Sequence, residues 1–141
     1  MNNNAAILKE AAEVYKWLQQ ELETNPQQAG KCLACGKCCD FDTFDHRLFV
    51  TSPELIFLVE NLKPDQVRKM TKGCCPYNID GKCGIYDLRF AGCRIFSCKG
   101  SSEFQANLSE ASIARFKSIC DRFETPYFYT DLKTALNSVK R

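Results

Sequence analysis

Histidine occurs once in the 141 residues, and no apolar run approaches the roughly 20 residues that a membrane-spanning helix needs. Each shortage removes a class of function. A lone His46 excludes an HExxH zinc-protease motif, and neither a phosphate-cradling glycine loop nor a nucleophile elbow occurs. Charge of one sign is lacking too. The 19 basic residues face 17 acidic ones, a balance too even to announce a nucleic-acid surface. Met1-Asn2-Asn3-Asn4-Ala5-Ala6 has no basic stretch leading into an apolar core, so no secretory signal is expected. The expectation is a cytoplasmic protein with neither membrane nor nucleic acid as partner, in a compartment where thiols stay reduced. Asp40, Asp42 and Asp45 have no recognisable partner for acid–base work and read as a solvated loop. His46 reads as a surface or hydrogen-bonded residue.

What is abundant is cysteine. Ten thiols in a chain of this size suggest either a disulfide framework or metal ligation, and a reducing compartment favours metal. Four of them fall within eight residues, Cys32, Cys35, Cys38 and Cys39, in the pattern C-x2-C-x2-C-C. A turn with that spacing can aim several sulfurs at one centre, as zinc or an iron–sulfur cluster requires. Gly36, next to Cys35, can take positive φ and let backbone N–H groups point at sulfur. A second set spreads over Gly73 to Cys98. There Asp80-Gly81 marks a hairpin turn that would bring Cys75 and Cys83 side by side, and Cys93 and Cys98 flank Arg94-Ile95-Phe96.

The rest of the chain has helical periods. Ile7, Leu8, Ala11, Val14, Tyr15, Leu18 and Leu22 recur at three and four residues and predict a packing helix over 5–23, stopped by Asn25-Pro26. Arg47 to Val50 reads as a short extended segment. Thr51-Ser52-Pro53-Glu54 has the hydroxyl, proline and glutamate of a capped helix start, with Leu55, Ile56, Leu58, Val59 and Leu62 on its buried face. Pro64 to Met70 suggests another short helix. Leu108 to Phe123 returns to helical spacing, and Thr130-Asp131 caps a last helix through Leu132, Ala135, Leu136 and Val139. The expected architecture is one domain, mainly α with a small β-hairpin. Its metal-stapled core of cysteine-bearing loops, 32–98, packs on three to four helices, with flanking helices over 5–23 and 107–139.

Cys120 lies on an apolar helical face and reads as a small buried hydrophobe, and Cys74 as an unliganded neighbour or a redox thiol. Setting both aside leaves eight candidate ligands: Cys32, Cys35, Cys38, Cys39, Cys75, Cys83, Cys93 and Cys98. Eight is twice the four thiolates of a closed zinc site or a cubane cluster. Consecutive Cβ vectors diverge, so Cys38 and Cys39 face different ways, in two centres or around one large cluster. Lys31, Lys37, Lys72, Lys82, Arg94 and Lys99 lie among the thiols, where cations would offset thiolate charge. Three functions are compatible with this pattern. They are an iron–sulfur protein in redox or sulfur handling, a structural zinc module that engages a protein partner, and a thiol enzyme or transfer protein using Cys74 or Cys38.

The succession C-x2-C-x2-C-C, Cys-Pro-Tyr, Gly-Lys-Cys-Gly-Ile-Tyr-x-x-Arg and Cys-Arg-Ile-Phe-Ser-Cys resembles the YkgJ-like cysteine-cluster family, described as a zinc- or iron-chelating domain. The resemblance spans about Cys32 to Cys98, and the family's eight-cysteine pattern falls on the same eight residues. Asn78 stands where the family has an apolar residue and Phe90 where it has proline, departures that touch local packing rather than ligands. A similar module accompanies flagellin lysine methylation enzymes, but this chain has no recognisable methyl-donor site. The resemblance therefore implies metal binding and no methyl transfer.

Overall fold

A computed structural model of the chain describes residues 4–29, 49–70, 76–79, 82–95 and 101–139. The first helix, α1 (Asn4–Thr24), buries Ile7, Ala11, Val14, Tyr15 and Leu18, the stripe that the periodicity predicts. At its end Asn25 donates its backbone N–H, at 3.2 Å, and its Nδ2, at 2.9 Å, to the Glu21 carbonyl, one of the last acceptors of the helix. Pro26 then opens α2 (Pro26–Ala29), at a position where its missing N–H loses no hydrogen bond.

Helix α3 (Ser52–Leu62) begins where hydroxyl, proline and glutamate placed it. Glu54 Oε2 accepts the Thr51 backbone N–H at 2.9 Å, the reciprocal half of a capping box. The helix stops at Lys63, which takes φ 74°, ahead of Pro64, whose ring bars its predecessor from the α region. The short helix expected over Pro64–Met70 is a single 3₁₀ turn, Pro64–Gln66.

Among the described residues two small antiparallel pairs stand beside the helices. Strand β1 (Phe49–Thr51) pairs with β4 (Tyr129–Asp131), Val50 opposite Thr130. The pair leads into α3 at one end and into α6 (Leu132–Asn137) at the other. The sequence signalled only the first strand, since three residues are too few for alternation to show. The predicted hairpin is present as β2 (Asn78–Ile79) and β3 (Lys82–Cys83), with Asn78 opposite Cys83. Helix α4 (Ala91–Ile95) follows. Helix α5 (Ser102–Arg122) begins ahead of the expected Leu108, capped by Ser101 Oγ, which accepts the Phe104 N–H at 3.3 Å. Its opening turns pack only Phe104 against the core, so no apolar period marked them. Asp131 caps α6 as anticipated, its Oδ2 accepting the Thr134 N–H at 3.1 Å.

Among the described residues the core has two apolar clusters. Ile7, Val14, Leu18, Leu108, Phe116 and Ile119 build one between α1 and α5. Val50, Leu58, Val67, Tyr77, Phe90 and Leu136 build the other, beneath the hairpin and α6. Helix α3 faces both, with Leu55 and Leu58 in the second and Ile56 and Phe57 against the first. Helix α4 is divided the same way, Ala91 and Ile95 joining the first while Cys93 packs on the second.

Candidate functional site

Of the eight candidate ligands, Cys32, Cys35, Cys38, Cys39, Cys75 and Cys98 lie outside the described residues, together with Cys74, His46 and the acids Asp40, Asp42 and Asp45. Cys83 lies on β3 with Asn78 across from it. Cys93 belongs to a helix, not to the loop that the sequence suggested, and both it and Cys120 are thiols rather than disulfides. Among the described residues, no group of three or more histidine, cysteine or acidic side chains is placed to hold a metal.

The described residues do fix where each cysteine-bearing segment leaves and rejoins the fold. Residues 30–48 run from the end of α2 to the start of β1. Residues 96–100 run from α4 to Ser101, and the Ser101 N–H donates to the Gln28 carbonyl at 2.7 Å. That bond holds the departure point of the segment carrying Cys32 against the return point of the segment carrying Cys98. Residues 71–75 are bracketed as tightly. Met70 exchanges two hydrogen bonds with the Asn137 amide, at 2.9 and 3.1 Å, so the side chain mimics a paired strand. On the far side Tyr77 Oη accepts the Arg68 N–H at 2.8 Å, and Arg68 Nη1 donates to the Pro76 carbonyl at 3.3 Å. Tyr77 and Ile85, flanking the hairpin, share the cluster on which Cys93 packs.

Around Cys93 the polar groups converge. Arg89 Nη1 donates to its carbonyl at 3.4 Å. Arg94 Nε donates to the Arg89 carbonyl at 2.6 Å and Nη2 to the Asp87 carbonyl at 3.0 Å, and the guanidinium lies 4.0 Å from the centre of the Tyr15 ring. Behind that ring sits Glu54, only 3% exposed. Its Oε1 accepts the Ala91 N–H at 2.6 Å and the Tyr15 hydroxyl at 3.4 Å, and its Oε2 accepts the Thr51 N–H and hydroxyl at 2.9 and 3.0 Å. Burial pushes the Glu54 carboxyl above its usual range although these donors act to lower it. Burial, followed by the Glu54 charge, pushes the Tyr15 phenol well above its own. Sequence reading found Glu54 as a capping residue and missed its second role, because its span to α1 and α4 has no local signal.

Two of the candidate ligands, Cys83 and Cys93, thus lie on regular backbone, and Arg89 donates to the Cys93 carbonyl. Cys120 is not among them. It is 2% exposed, with Sγ 3.4 Å from Ser52 Oγ and 3.9 Å from the Pro126 carbonyl. Ser52 Oγ in turn donates to the Pro126 carbonyl and accepts the Phe128 N–H. This accords with the reading of Cys120 as a buried packing thiol. No protein-family model, curated protein or solved structure matches the chain.

Proposed function

We propose that the chain is a metal-binding protein of the YkgJ-like kind, holding its metal through Cys32, Cys35, Cys38, Cys39, Cys75, Cys83, Cys93 and Cys98. An iron–sulfur cluster is the first occupant proposed, in a small cytoplasmic component of redox or sulfur handling. Zinc in a structural module is the alternative. The observation that supports convergence is the Gln28–Ser101 hydrogen bond, which ties the two outermost cysteine-bearing segments at one point. Among the described residues no helix is long and apolar enough to cross a membrane. A bound cluster would supply one-electron transfer, and bound zinc would supply folding energy. The chain's own residues orient and shield. Arg89 and Arg94 set positive charge beside Cys93, and Tyr77, Ile85 and Phe90 form the apolar floor against which it packs.

Anaerobic purification followed by iron, sulfide and zinc analysis tests the reading. Brown protein with iron and acid-labile sulfide supports the cluster, and colourless protein with stoichiometric zinc supports the alternative. Metal-free protein would refute both. Cys35→Ser should lose metal and solubility together, and a variant that keeps its full metal content and melting temperature would refute the ligand assignment.

A further inference from the structure

The least expected group in the fold is the Glu54 carboxylate, sealed from solvent between α1, α3 and α4. Side chains that only pack do not need a carboxylate, since burying an acid is costly and a well-packed apolar replacement is often as stable. Here both oxygens are in use, accepting from four donors on three separate parts of the chain. The shortest of these bonds, 2.6 Å, goes to Ala91, the first residue of α4. A five-residue helix cannot sustain itself, and its leading N–H groups have no partner within the helix. Tyr15 links this grip to a second. Its hydroxyl bonds Glu54 while its ring lies under Arg94, three residues along the same helix. Cys93 sits between the two grips.

We propose that Glu54 is a positioning residue for the metal centre: by holding the start of α4 it sets where Cys93 is presented and makes metal affinity depend on the α1–α3 packing. This rests on the metal-binding reading above. A glutamine in its place keeps the size but offers a single acceptor oxygen, so it cannot bond Ala91 and Thr51 as the carboxylate does.

The test compares Glu54→Gln, Tyr15→Phe and a control, Asp131→Ala, which removes a cap whose bonds go to Thr130 and Thr134. Each full-length protein is prepared anaerobically, shown to be folded by circular dichroism, and titrated with Zn2+ against a chromophoric chelator. Hydrogen exchange is followed by mass spectrometry over residues 86–95. The expected result is a loss in Zn2+ affinity of about tenfold for Glu54→Gln, the lower end of what residues supporting metal ligands show. Faster exchange at 91–95 should accompany it. Tyr15→Phe, which keeps the ring under Arg94, should show a smaller loss in the same direction, and it carries the test should Glu54→Gln fail to fold. Asp131→Ala should leave both readouts unchanged. Equal losses in the control would reduce the effect to general destabilisation and overturn the proposal. Unchanged affinity in Glu54→Gln beside a wild type that binds Zn2+ would overturn it and leave the metal-binding reading standing. A wild type that neither takes up Zn2+ nor carries iron after anaerobic purification would remove that reading itself, with the exchange data still reporting whether Glu54 holds α4.

Discussion

Glu54 and Asp131 are both capping carboxylates, and their surroundings give them opposite dependence on pH. Burial raises the Glu54 carboxyl, so over the acid range the folded chain holds a proton that the unfolded chain has released. Its contribution to stability is complete below the ordinary carboxylate range and is lost as pH rises through the raised folded value. Tyr15 stays neutral and Arg94 charged across that range, so neither adds a competing step. Asp131 is half-buried, and hydrogen bonds from Thr134, hydroxyl first and then N–H, hold it below its usual value. Its contribution is present above the ordinary range and is lost as pH falls through the folded value. Urea unfolding from about pH 3 to about pH 7 separates the two. Wild type should lose stability relative to Glu54→Gln as pH rises and gain relative to Asp131→Ala, and a reversed slope in either pair would contradict the assignment. Near neutral pH, Asp131→Ala should cost about 1 kcal/mol through the lost cap. Cys120, sealed beside Ser52, should alkylate only on unfolding, and rapid labelling in the native protein would contradict its placement.

At the scale of elements, what the sequence made legible were those whose signal lies within one turn or one stripe. Ile7, Ala11, Val14 and Leu18 gave α1, Thr51 to Glu54 gave the start of α3, and Asp131 gave the start of α6. Strand β4 was hidden because three residues show no alternation and its partner lies far back in the chain. Helix α4 was hidden because five residues cannot show a helical period and its support comes from Glu54 and Tyr15. Cys93 was for that reason read as loop-borne. The tie between α6 and the segment before Cys74 is equally long-range, carried by one asparagine. Asn137→Ala should cost about 1–3 kcal/mol and speed exchange of the Met70 amide, and unchanged exchange would show the pair to be dispensable. Phe116, fully buried between α1 and α5, should cost about 3–5 kcal/mol on truncation to alanine, read as a lower melting temperature.

For the whole molecule, the helical frame and the hairpin follow from sequence patterns, while the proposed convergence of the thiols would be a long-range property that spacing can only suggest. Two apolar clusters share α3 and α4, and the three cysteine-bearing segments leave and rejoin this frame at hydrogen-bonded points. The proposed metal would then close the cysteine-bearing part of the chain upon a frame already built. Each structural zinc at such a site contributes folding energy of order 10 kcal/mol, so a chelator should lower the melting temperature of the loaded protein and release its thiols to labelling. X-ray absorption at the iron and zinc edges, on protein purified without oxygen, tests the central claim most directly. The account predicts a bound metal whose nearest neighbours are all sulfur, at about 2.3 Å if the metal is zinc. Protein without metal, or a first shell of oxygen and nitrogen, would contradict it.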